Sequence, residues 1–211
     1  MKTCEYDGEL GGEPRSHPWS DSALDSGARY HDFSAQPELI RTALEDFTPF
    51  ARYPAIEEFY SLLERLNHPK SALESSDCAF SGPQANESQQ FKAALECSGR
   101  LMILYRDLEQ NTLEPRLAWL RLALHEELSE QDPKFTAGII GTTLVPIRYL
   151  ALPEGSQTGQ QLMLSFWAFG DSEAALMLGL ARLFKNLSRA LRQVSARIAT
   201  GTPVSPSTRQ Q

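Results

Sequence analysis

Cysteine is scarce in this sequence: Cys4, Cys78 and Cys97 are three in 211 residues, an odd number with no CxxC spacing. That supports neither a disulfide framework nor a zinc site, and it fits a reducing compartment. Long apolar runs are also missing. None approaches the ~20 residues a membrane-crossing helix needs. The first residues lack a charged leader followed by an apolar core, so the expectation is a cytoplasmic protein that makes no use of a membrane. Positive charge is in deficit, with 20 Lys and Arg against 27 Asp and Glu and a net charge of -7. An acidic whole argues against sequence-independent binding to nucleic acid, whose affinity comes chiefly from phosphate neutralisation. Motifs are lacking too. The one glycine-bearing stretch that resembles a phosphate loop, Gly138 to Thr143, has no lysine to reach a phosphate and leads into no helix, so it reads as part of a strand. The sequence therefore calls for no cofactor and no metal.

What is present is organised around residues 171 to 198. Leu176, Leu180, Leu183, Leu187, Leu191, Val194 and Ile198 follow one another in steps of three and four, which lays a continuous stripe along one helix face. At ~1.5 Å per residue such a helix is about 42 Å long and crosses a small domain. Asp171 is placed to cap its first turn. Just before it, Gln161 to Phe169 alternates: Leu162, Leu164, Phe166 and Ala168 point one way, Met163, Ser165, Trp167 and Phe169 the other. Thr136 to Leu150 supplies the partner strand of a hairpin. Pro146 has no N–H to give a ladder, so its place is an edge or a bulge.

Upstream, Leu101 to Tyr105 is an apolar run expected to be a strand covered on both faces. Asn111, with Glu114 three residues on, has the spacing of a capping box before the stripe Leu113, Leu117, Leu120, Leu124 and Leu128. Two further helices are expected at 37 to 47 and 54 to 66, the second opened by Pro54 and ended by Asn67-His68-Pro69. Residues 68 to 90 are polar and read as a loop with a short strand-like island at Cys78 to Phe80. Residues 1 to 34 carry a net charge of -4 and no apolar period, which suggests a flexible acidic leader. The last residues, from 200 on, suggest a disordered tail. The expected fold is α+β: a single domain over 35 to 199, with a mostly antiparallel sheet and two long amphipathic helices on one face as a two-layer sandwich, plus the N-terminal helices.

Candidate chemistry is sparse. His125-Glu126-Glu127 lies on a helix whose neighbouring positions diverge by about 100°, so the three do not converge on a metal. Cys78 and Cys97 would be nucleophiles only if a base and a positive setting lowered the thiol pKa. Arg106 with Asp107 and Arg148 with Tyr149 fall near ends of adjacent expected strands, where they could form a polar ligand pocket. Met163, Trp167 and Phe169 form an apolar set on the second sheet face that something must cover, with the N-terminal helices slightly favoured over a second copy or a partner. Arg182, Lys185, Arg189 and Arg192 form a basic stripe suited to an acidic surface, on a partner or on the chain's own leader. Titratable groups do not cluster, so no catalytic residue is assigned. The expectation is a non-enzymatic binding protein that works through a protein partner or self-association. The alternative is a small-molecule enzyme or ligand-binding domain at the Arg106/Arg148 strand ends.

Overall fold

A computed structural model describes residues 1–5, 15–18, 30–87 and 90–201. Residues 202–211 of the tail expected from 200 on, and most of the expected leader, lie outside the described residues. The elements are β1 (Lys2–Glu5), β2 (Arg15–His17), α1 (Pro54–Leu66), β3 (Leu73–Ala85), β4 (Leu95–Tyr105), α2 (Glu114–Glu130), β5 (Gly138–Tyr149), β6 (Gln157–Gly170) and α3 (Glu173–Ala199). The strands form one mixed sheet in the order β1-β5-β6-β4-β3, with β2 also paired to β5. The class is α+β.

The leader reading is corrected at two places. Lys2–Glu5 and Arg15–His17 are strands, both parallel to β5, lying against Ile139–Thr142 and Ile147–Tyr149 respectively. Backbone pairing, not an apolar period, holds them. This also explains Pro146. It lies between the two registers, on the stretch of the β5 edge that neither short strand occupies, so its missing N–H leaves no ladder bond unmade. The loop reading of 68 to 90 is corrected as well. Leu73–Ala85 pairs antiparallel with β4, and register shifts between Ser75 and Asp77 and between Ser81 and Gln84 break the alternation that would have marked it. Strand β4 begins at Leu95, six residues before the apolar run starts.

Among the helices, α1 starts on Pro54 and buries Ile56, Phe59, Tyr60, Leu63 and Leu66. The expected helix at 37 to 47 is reduced to a 3-10 turn at Pro37–Arg41, with another just past its end at Thr48–Phe50. The cap of α3 moves one residue: Ser172 Oγ accepts from Ala175 N at 3.3 Å, while Asp171 Oδ1 accepts from Ala94 N at 3.3 Å and ties the helix start to the start of β4. The capping box at Asn111 is overturned. Helix α2 is preceded by Leu113, which is 48 % exposed and lies outside the stripe assigned to it. Asn111 itself is buried, and it brackets the last residue of β4: its Oδ1 accepts from Tyr105 N at 2.8 Å and its Nδ2 donates to Tyr105 O at 2.9 Å. A side chain that satisfies both backbone groups of a strand end is worth more there than at an exposed helix start. Asn111→Ala strands both groups in the interior, and urea denaturation should show a loss of about 2 kcal/mol or more.

The core runs from helix to sheet through a chain of ring contacts, stacked, tilted and edge-on in turn. Phe47 lies 4.4 Å from Phe59, Phe59 lies 4.9 Å from Phe184, and Phe184 lies 5.0 Å from Phe166 of β6. Leu162, Leu164, Phe166 and Ala168 all belong to this cluster with the buried residues of α1, α2 and α3. Helix α1 therefore packs beside α3 on the face that α3 already covers. That overturns its expected role as the cover of the second face.

Candidate functional site

Helices α1 and α3 run in the same direction. Arg52, ahead of α1, meets Glu173 at 3.0 Å, Glu58 meets Lys185 at 3.3 Å, and Arg65 Nε donates to Ser188 Oγ at 3.0 Å. Beyond that last contact, a groove of about 500 Å3 opens between their C-terminal halves. Leu62, Leu66 and Leu191, all buried, line it together with the exposed Ala196 and Ala199. Arg65, His68, Lys70 and Arg192 stand around it, all exposed. Lys70 and Arg192 form no ion pair among the described residues, and the Arg65 guanidinium donates to a hydroxyl alone. The one carboxylate of the lining, Glu64, is held by Arg41 at 2.7 Å. Sequence reasoning missed this site because it depends on which two helices lie side by side. The available signal was basic residues toward or just past both C-terminal ends, at Arg65 and Lys70 and at Arg189 and Arg192.

The basic stripe proposed on α3 divides. Arg182 is engaged by Asp132 and Lys185 by Glu58, whereas Arg189 and Arg192 are exposed and have no ion pair among the described residues. Only its second half is available to another molecule.

The four ligand-binding candidates are not brought together. Arg106 and Asp107 line a cavity of about 850 Å3 with Tyr105, Arg116, Trp119 and Arg197. Arg106 is committed elsewhere: Nε donates to Ser71 O at 3.1 Å, Nη2 to Asn67 O at 3.1 Å and His68 O at 3.3 Å, and Nη1 meets Glu74 at 3.3 Å. It closes the C-terminal end of α1, as a cation at the negative pole of a helix should. Arg148 is exposed and donates to Ser156 Oγ at 2.7 Å. Tyr149 is buried, donates its hydroxyl to Gln160 O at 2.8 Å, and burial raises its pKa.

The second sheet face is partly closed by the sheet itself. Strands β2 and β3 are four strand spacings apart, roughly 19 Å if the sheet were flat. Yet Arg15 of β2 meets Asp77 of β3 at 3.2 Å, with Arg100 on the same carboxylate at 3.1 Å, and His17 Nε2 lies 4.0 Å from Glu74. The sheet must curl until its edges meet, and Met163 is buried within that curl against Met102 and Val145. Phe169 is covered by Phe91, with ring centroids 4.8 Å apart. Trp167 is half-buried, its indole over Gly141, where an added Cβ would sit 3.2 Å from the ring.

His17 is buried in the seam, with the ring centroids of Tyr30 and Tyr149 each 5.9 Å away and no partner on Nδ1 among the described residues. Burial lowers its pKa below the ordinary 6.5, outweighing the opposing pull of Asp32. A depressed folded-state value means the unfolded chain binds the proton more readily. The stability this neutral ring contributes is therefore present above 6.5 and is lost as pH falls from there through the lower folded value. Glu74 faces it with a raised pKa, caused first by burial, and acts in the opposite sense at the carboxylate end of the range. Denaturation midpoints of wild type and His17→Phe measured downward from pH 7 should diverge, with wild type falling faster just below 6.5. Parallel curves would place His17 in solvent.

The remaining candidates are inert in this setting. Burial pushes the Cys97 thiol up to about 12 and raises Cys78 as well, the opposite of what a nucleophile needs. His125 Nδ1 lies 2.9 Å from Thr3 Oγ1, and Glu126 and Glu127 are both held by Arg197. Among the described residues no group of three or more His, Cys, Asp or Glu gathers as metal ligands would, and no helix is long and apolar enough to cross a membrane. No protein-family model, curated protein or solved structure matches this chain.

Proposed function

We propose that this chain is a non-enzymatic binding protein, cytoplasmic, that acts through protein–protein contacts at the groove between α1 and α3. The reading takes the three helices as one layer over the sheet, with the groove on the outer side of that layer. The observation that carries it is the coincidence of an apolar base with Arg65, Lys70 and Arg192, which no carboxylate among the described residues pairs. Charges that face no internal partner contribute little to stability. They are well placed to orient an incoming surface. A partner of a different kind is favoured over a symmetric pair of copies, because a two-fold contact at the groove would set like charges against each other.

The test is site-specific photo-crosslinking in cells of the protein's origin. A benzophenone side chain at Ser188 or Arg192 should give a discrete adduct with another protein, and one at the exposed Leu122 of α2 should not. Adducts of equal yield at Leu122, or adducts only between copies of the chain, would sink the reading.

A second reading, a small-molecule site, draws on the 850 Å3 cavity, whose Arg116 forms no ion pair among the described residues and lies near the Trp119 wall. Cavities of this size commonly hold ligands. Arg106 and Arg197 spend their charge inside the chain, which ranks this reading second.

A further inference from the structure

We infer that the groove accepts an acidic amphipathic helix of about three turns; this rests on the groove being the contact surface. The shape of the groove selects a helix. Both walls are helices whose backbones are satisfied internally, so no strand edge is offered, and an extended peptide would gain no ladder bonds there. A helix needs none, and it presents side chains in rows one turn apart that fit a furrow between two helices. From Ser188 to Ala199 the α3 wall is roughly 16 Å long at ~1.5 Å per residue, which matches about eleven residues of a bound helix.

The charge of the groove selects an acidic one. The chain as a whole carries -7, so an acidic molecule is repelled by most of its surface. At the groove, Arg65, Lys70 and Arg192 face outward, and Glu64 is neutralised by Arg41. The contrast draws an anionic partner toward the groove. Carboxylates flanking an apolar row at positions i, i+4, i+7 and i+11 would meet the cations on both walls while leucine-sized side chains cover the base. An anionic membrane has the right sign and the wrong form. Membrane-surface binding uses large exposed apolar residues, and those of the described chain, Phe91, Leu113, Leu122, Leu150 and Leu178, all lie outside the groove.

Fluorescence anisotropy with the full chain tests this directly. The probe is a fluorescein-labelled peptide of about fourteen residues, with leucine on one face, glutamate on its flanks and alanine elsewhere. Its competitors are a scrambled peptide of the same composition and a version with lysine in place of glutamate. The first should bind, the other two should not, and added salt should weaken it. Two variants act at exposed positions, so both should fold. Lys70→Glu with Arg192→Glu reverses the rim, and Ala196→Trp fills the furrow at unchanged charge. Each should weaken binding at least about tenfold. Equal binding of the scrambled peptide, unchanged affinity in both variants, or binding only to vesicles of phosphatidylcholine and phosphatidylglycerol would overturn the inference. If the peptide fails while crosslinks from Ser188 persist, the acidic helix is wrong and the contact surface stands. If both fail, the surface itself is wrong.

Discussion

Phe166→Ala is expected to lower the unfolding free energy by about 3 to 5 kcal/mol, the largest loss of any substitution considered for this chain. Phe166 is fully buried, and its ring centroid lies 5.0 Å from that of Phe184 and 6.3 Å from that of Phe59. Across the ladder it faces Gly99, where even one added carbon would approach the ring to 2.4 Å. The glycine leaves the space, the phenylalanine fills it, and α1 and α3 both rest on the result. Removing the ring opens a hole bounded by three elements that cannot all move inward, so little of the volume is recovered. A loss of that size is a large part of the ~5 to 15 kcal/mol by which a domain of this kind is stable. Guanidinium denaturation followed by far-ultraviolet circular dichroism measures it. Trp167→Ala is the control, since the half-buried indole on the opposite face has less to lose. A Trp167 variant less stable than the Phe166 variant would mean that the two faces of β6 have been exchanged.

Leu187→Ala should cost about 2 to 5 kcal/mol, and Arg189→Ala should leave the midpoint nearly unmoved. Leu187 is fully buried near the middle of α3, in the cluster that joins the helices to β6. Arg189, two residues on, projects into water with no ion pair among the described residues. The pair tests helix orientation with little change in local helix propensity, because alanine replaces both residues. Coincident midpoints would mean that α3 is rotated about its axis.

These two experiments draw on what the sequence displays best. The stripe of α3 and the alternation of β6 repeat over many residues, and repetition makes a period visible despite individual exceptions. Strand β3 shows the opposite case. Leu-Glu-Ser-Ser-Asp-Cys-Ala-Phe-Ser-Gly-Pro-Gln-Ala has only Leu73 and Phe80 as large buried side chains, and two register shifts move its inward positions out of phase. Strands β1 and β2 are too short for any period, and their partner lies far along the chain. Asn111 misled for a chemical reason: an amide that can cap a helix can also close a strand, and spacing alone does not say which backbone groups lie nearby. The groove was invisible for a related reason. Its cations are ordinary helix-surface residues until α1 and α3 are set side by side.

The pairing of β1 with β5 has a consequence for synthesis on the ribosome. Lys2 sits opposite Ile139, so β1 must wait outside the exit tunnel for a partner translated 137 positions later, roughly 7 to 27 seconds at common elongation rates. Throughout that interval the nascent chain trails an unmatched backbone segment whose amides and carbonyls are open to other molecules. The hairpin of β5 and β6 is made after β3, β4 and α2, and only then does β1 find its place. Completing this sheet is thus deferred until β5 has been made, however early α1 and α2 form.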